Sequence, residues 1–149
     1  MEKKFAVKHS FEVMGPLVNL YKQVKKKPFS FTSKKHMAEE AAKGNFVYVI
    51  EVRREHGVTK YYLGYKYRAT DILRPTKGSL WQDKFKFKNT VKYGQMSDGI
   101  YFENPKLISD VDFIEWFKGE TLGMSEIPHE LAEVLDIQFN SEGCSKFKS

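Results

Sequence analysis

"FVYVIEVRREHGVTKYYLGYKYR", residues 46–68, is the stretch on which the reading of the fold turns. Phe46 to Val52 is a nearly continuous β-branched and aromatic run, the composition of a buried strand. His56-Gly57 supplies turn residues, and Thr59 to Arg68 then alternates, which puts Tyr61, Leu63, Tyr65 and Tyr67 on one expected face. The pair reads as a β-hairpin. Gly64 interrupts the second strand, and a glycine there predicts a bulge or a close backbone approach, of the kind small closed barrels need where a strand turns a corner.

Working outward, "KFAVKH" at residues 4–9 alternates and predicts a first strand. After Pro16, Leu17, Leu20, Tyr21 and Val24 have helical spacing until Pro28 stops it. "SKKHMAEEAAKGN" predicts a short helix with Ser33 as N-cap, Met37, Ala38, Ala41 and Ala42 as its apolar side, and Gly44 just past its end. Downstream of the hairpin, "GSLWQDKFKFKNTVKYG" at residues 78–94 predicts a strand from Phe85 to Tyr93, and "IYF" at residues 100–102 a further short one. Strand parity gives Phe85, Phe87, Val91 and Tyr93 one face and Lys84, Lys86, Lys88 and Lys92 the other. Two acidic helices follow. One has Ser109 as expected N-cap with Val111, Ile114 and Phe117 inward and Trp116 off the stripe; the other has Ser125 as N-cap with Leu131, Val134 and Leu135 inward.

The whole is an α+β pattern, and 149 residues suit one domain that buries roughly two thirds of its unfolded surface. Residues 1–139 are expected to form it, with 140–149 as a polar tail or linker. The single Cys144 offers neither a disulfide framework nor a metal knuckle, so a reducing, cytoplasmic setting is expected. No window approaches the ~18 apolar residues of a membrane span.

Charge is unevenly spread. The chain carries +6 net, but residues 1–102 hold 21 Lys/Arg against 9 Asp/Glu, net +12, and residues 103–149 hold 4 against 10, net −6. A solvated surface accounts for scattered charge, whereas clustering at Lys25, Lys26 and Lys27, at Lys34 and Lys35, and at Lys84, Lys86 and Lys88 points to a polyanion partner, DNA or RNA. These eight lysines are the expected phosphate contacts. The histidines His9, His36, His56 and His129 are dispersed, and HExxH, GxSxG, P-loop and GxGxxG signatures are absent. Glu39-Glu40 and the Asp110/Asp112/Glu115 group read as solvated helix faces. The expectation is a binding module without catalytic residues, metal or cofactor.

Element order and one local motif add a resemblance. A strand, a helix, the loop "PFSFTS", a β-rich middle and the segment Trp81-Gln82-Asp83-Lys84-Phe85 resemble the PUA-like superfamily, in particular its EVE and YTH branches. In YTH domains a Trp, a polar pair, Asp-Lys and a second Trp occupy the corresponding segment; here it is one residue shorter, and Phe85 stands where that second Trp would be. Phe31 in "SFTS" likewise holds the place of the other loop Trp. The resemblance implies a small β-barrel flanked by short helices, with a pocket that sandwiches a modified or flipped base between aromatic rings. Phe31, Trp81, Phe85, Ser33 and Asp83 are then the base-binding set, although parity alone assigns Phe85 to the core. It further implies that such a domain can serve as the targeting part of an McrB-type modification-dependent restriction machine, followed by an AAA+ GTPase. The alternatives implied are a stand-alone RNA-binding or RNA-processing protein and an ASCH-like small hydrolase.

Overall fold

The computed structural model describes residues 3–20, 29–32, 35–73, 89–93, 99–119 and 124–146. Its elements are β1 (Lys4–Ser10), α1 (Phe11–Met14), a 3-10 turn (Leu17–Leu20), β2 (Phe29–Thr32), α2 (Lys35–Ala41), β3 (Phe46–Glu55), β4 (Val58–Leu73), β5 (Asn89–Tyr93), β6 (Ile100–Leu107), α3 (Val111–Lys118), β7 (Met124–Glu126), α4 (His129–Glu142) and β8 (Ser145–Lys146). Six strands form one path in the order β2-β5-β4-β3-β1-β7, with β6 on β4 and β8 on β6. The sheet is mixed, since β1 runs parallel to β3 and the remaining pairs are antiparallel. The α+β class holds. Among the described residues no pairing joins β2 to β7, so the expected barrel closure is not present in the strand pairing.

β3 and β4 form the hairpin, turned by His56 at φ 52° and Gly57 at φ 79°. Two successive positive φ values match the right-handed twist of the strands on either side. Val49 pairs with Tyr65 and Ile50 with Leu63, so Gly64 is the extra residue of a bulge. That bulge corrects the single-face expectation for β4. Tyr61 and Leu63 pack on one side of the sheet and Tyr65 and Tyr67 on the other, because one inserted residue flips the alternation. Gly64 is also a close approach: a Cβ there would run into the side chain of Leu17, which is fully buried against the bulge.

Both sides of the sheet are covered. The first core joins Val47, Val49, Tyr65 and Tyr67 to Leu17 of the 3-10 turn and to Ala38 and Ala41 of α2. The second joins Tyr48, Ile50 and Leu63 to Phe113 and Phe117 of α3 and to Leu135 and Phe139 of α4. This double cover explains why β3 reads as an unbroken apolar run. Each large side chain so buried contributes roughly 1.5–3 kcal/mol. Phe102 and Phe139 stack at 4.9 Å between ring centroids, and Tyr61 meets Phe117 edge-on at 5.7 Å, which fixes α4 against β6 and α3 against the hairpin.

Helix ends differ from expectation where a competing cap is present. Asp110, not Ser109, caps α3 by accepting from the Phe113 amide at 2.9 Å, so Phe113 joins Phe117 inside and Val111 is exposed. Ser125 lies in β7, and α4 begins after Pro128. Phe139 extends the inward stripe of Ala132 and Leu135, so the helix runs on to Glu142, and Ser145–Lys146 then pairs with Tyr101 and Ile100 of β6. Part of the expected polar tail is thus regular structure. The helix expected after Pro16 is a 3-10 turn as far as Leu20; residues 21–28 lie outside the described residues. "PFSFTS", expected as a loop, contains strand β2. No helix among the described residues is long and apolar enough to cross a membrane.

Candidate nucleic-acid interface

β2 pairs antiparallel with β5, and β5 with the far half of β4, giving a three-strand ribbon at one end of the sheet. Its rows run Phe31–Thr90–Leu73 and Ser30–Val91–Ile72. Thr32 pairs with Asn89, so the chain leaving Phe31 toward Ser33 and the chain arriving from Lys88 come together at one point. The strand that carries Phe31 is therefore the neighbour of β5, the strand that follows the 81–88 segment in the chain. Ser33, Trp81, Asp83 and Phe85 lie outside the described residues, as do Lys25, Lys26, Lys27, Lys34, Lys84, Lys86 and Lys88; Lys35 opens α2. The ribbon is tied to the central hairpin by a 2.7 Å hydrogen bond between the hydroxyls of Ser30 and Tyr67, both buried. Burial pushes the Tyr67 phenol far above its ordinary value, while the bond to Ser30 acts the other way without cancelling it, so the phenol stays neutral.

A second feature escaped the sequence reading. Lys4, Phe46 and Arg68 are register partners across β1, β3 and β4, and Ala6, Tyr48 and Lys66 form the row two residues on. Because Tyr65 and Tyr67 point into the first core, Lys66 and Arg68 emerge on the opposite side. The Arg68 guanidinium lies 4.5 Å from the Phe46 ring centroid and donates to the Gly44 carbonyl at 2.7 Å. Lys66 Nζ lies 5.0 Å from the same ring, 5.3 Å from Tyr48 and 5.8 Å from Phe139. Asp136 of α4 receives three donors here: Lys66 Nζ and the Tyr48 hydroxyl on Oδ1, both at 2.7 Å, and Lys4 Nζ on Oδ2 at 3.0 Å. Burial alone would raise the Asp136 carboxyl, but the bonds from Lys66, Tyr48 and Lys4 and the charge of Lys66 outweigh it and hold it below its ordinary value. The signal was in "YKYR", the same aromatic and cation alternation as in residues 84–92. Asp136, 70 residues from Lys66, left no local trace.

At the other end of the central strands a carboxylate is sealed. Glu51 is fully buried and accepts from the Leu17 amide at 2.5 Å and from Arg53 Nε and Nη2 at 2.7 and 2.6 Å. Arg53 in turn lies over Tyr62 at 4.2 Å and Phe11 at 5.2 Å. His9, the register partner of Glu51, is buried and donates Nε2–H to the Gly15 carbonyl at 2.9 Å. Burial pulls the His9 imidazole below its ordinary value; the Gly15 bond and the Glu51 charge oppose this without cancelling it. Together Glu51 and His9 clamp the segment that seats Leu17 on Gly64. Among the described residues no group of three or more His, Cys, Asp or Glu could hold a metal.

The fold and these surfaces define an α+β protein with an open mixed sheet, helices on both sides, a three-strand ribbon at one end and a cation–aromatic row beside it. No family model matches the chain, and no curated protein or solved structure matches it.

Proposed function

We propose that this protein is a non-catalytic, PUA-like nucleic-acid-binding module that reads a modified or extruded base, acting in the cytoplasm as the targeting part of a larger restriction-type machine with an AAA+ GTPase motor. The observation that supports the reading is the β2–β5 pairing, which joins the strand of Phe31 to the strand that follows the 81–88 segment in the chain. In this reading Phe31 and a ring from the segment before β5 are the walls on which a base stacks, an interaction that contributes about 1–3 kcal/mol per base. The net +12 of residues 1–102 supplies the attraction for phosphate. A barrel is part of the proposal, and the approach of β2 to within 8 Å of β1, Cα to Cα, supports it. The lone Cys144 suits a reducing compartment.

Fluorescence anisotropy with plain and methylated oligonucleotides, single- and double-stranded, tests this. Four or five duplex phosphate contacts would give a slope of log K against log salt near −4, at about 0.9 per contact. Trp81→Ala should weaken binding roughly 5- to 150-fold, the equivalent of about 1–3 kcal/mol, and reduce the preference for the modified strand. Absence of binding at low salt to every oligonucleotide would overturn the reading.

A further inference from the structure

We propose that residues 11–19 form an acid-released strap: a proton gained by the His9 imidazole lets the segment lift from Gly64 and the end of the first core while the hairpin beneath it stays folded. The device goes beyond the nucleic-acid reading and does not depend on it. The strap is lightly held, since of residues 11–19 only Leu17 is buried. Its inward ties are the Leu17 amide on Glu51 Oε2 at 2.5 Å and the Gly15 carbonyl on His9 Nε2 at 2.9 Å. At the exposed rim Glu12 accepts from the Arg54 amide at 2.6 Å, and Arg53 lies over Phe11 at 5.2 Å. A segment with one buried side chain and few ties opens more readily than the strands below it.

The second proton of His9 falls where the closed strap cannot receive it. The Gly15 carbonyl only accepts, so Nε2 carries the hydrogen of the neutral ring and Nδ1 is bare. His9 is 4% exposed, and Nδ1 has no hydrogen-bond partner among the described residues. Protonation there makes a buried cation with an unsatisfied N–H, which water can satisfy once the strap lifts. The charged groups around the ring do not reverse this. Glu51, its register partner on β3, attracts the cation, but Arg53 holds Glu51 Oε1 and the Leu17 amide holds Oε2. Glu12 of α1 is engaged at the Arg54 amide, Tyr62 of β4 donates to Glu55, and Glu126 of β7 stands opposite Phe5. Lys8, the neighbour on β1 itself, points to the other side of the sheet. Burial lowers the imidazole more than the Gly15 bond and the Glu51 charge raise it, so opening takes up a proton and acid favours it.

The rival outcome is that the imidazolium turns to Glu51 and tightens the clamp. Amide hydrogen exchange on the full chain, corrected for the intrinsic rate, separates the two. Between about pH 7.5 and about pH 5.5 the local opening seen at the Gly15, Leu17 and Asn19 amides should rise by up to about tenfold, while the amides paired between β3 and β4 keep their protection. In the parent the rise should track the ring titration of His9 followed by NMR, since His36, His56 and His129 stand on α2, at the hairpin turn and on α4. His9→Gln keeps a neutral donor for the Gly15 carbonyl and should abolish the dependence on pH. Protection of the three amides that is unchanged or higher in acid overturns the strap, as does a loss shared equally by the hairpin. A rise that follows another group in the parent, or that survives in His9→Gln, overturns the role of His9.

Discussion

Glu51 and Asp136 do the same mechanical task at opposite ends of the central strands, and they do it in different surroundings. Glu51 fastens the 3-10 turn through the Leu17 amide and has a side-chain exposure of 0%; Asp136 fastens β1, β3 and β4 to α4 with 26% of its side chain open. The sealed carboxylate has its charge matched by Arg53 and its remaining acceptor capacity taken by a backbone N–H. The open one has two lysines and a tyrosine on it and a third cation, Arg68, nearby over Phe46. A fully buried carboxylate is committed to architecture, because left unmatched its charge would be intolerable there. At Asp136, with about a quarter of its side chain open, water screens the charges and the same kind of bond counts for less.

The largest expected effect follows from that contrast. Glu51→Ala leaves the Leu17 amide without its acceptor and takes the carboxylate from a partly open Arg53, and should cost about 3 kcal/mol of folding stability, the upper end for an orphaned buried donor. Asp136→Ala, at a solvent-screened site, should cost about 1 kcal/mol or less. Urea unfolding of the two variants decides the point, and equal losses would erase the distinction between a sealed and an open site.

An intermediate effect is expected at the bulge, where β4 passes from one side of the sheet to the other. Gly64→Ala puts a methyl group into Leu17, and Leu17 is held both by the bulge and by Glu51. Overpacking of this kind costs about 1–3 kcal/mol. Thermal unfolding of Gly64→Ala alone and combined with Leu17→Ala tests the geometry: the pair should be markedly non-additive, since the smaller side chain makes room for the methyl. Simple additivity would mean that the two residues do not share the space.

The smallest effect is a pH limb. The folded-state pKa of His9 is lowered, so the unfolded chain binds the proton more readily, and the contribution of His9 is fully present above its ordinary value of about 6.5 and lost as pH falls from there toward the lowered value. His9→Gln should flatten this limb. Asp136, whose pKa is also lowered, contributes a separate limb that is present above its ordinary value and fades only in stronger acid, as pH falls through the lowered value. Stability against pH for the parent and both single variants, His9→Gln and Asp136→Asn, checks the assignment. A mid-acid limb that survives in His9→Gln would place its origin elsewhere.

How much could be read locally is clear from particular residues. The hairpin followed from His56-Gly57 between two strand-forming runs, β1 from its short alternation, and the inner side of α2 from the spacing of Ala38 and Ala41. Gly64 announced both a bulge and a close approach, and both are present. The exchange of sides at that bulge could not be read from alternation, because periodicity assumes an unbroken register. Ser109 and Asp110 are both good caps one residue apart, and packing of Phe113 selected Asp110. Phe29–Thr32 has too few residues to declare itself a strand and becomes one by pairing with β5. For the candidate interface, Phe31 stands out in the sequence as an aromatic in a short polar stretch, whereas the pairing of its strand with β5 through Thr32 and Asn89 needs residues far apart in the chain.

Local order in this chain therefore came from neighbours a few residues apart: turn glycines, alternation, and the apolar spacing of short helices, all acting through backbone sterics and side-chain direction. The tertiary structure decided everything that needed distant partners. It set the burial of β3 on both sides, the seat of Leu17 on Gly64, and the sealing of Glu51 beside His9. It also gathered Lys4, Phe46, Lys66, Arg68 and Asp136 from four places in the chain into one cluster. Charges at residues 4, 66 and 136 carry no mark of one another in the linear order, because their attraction becomes strong only when folding brings them within a few ångströms and removes much of the water between them.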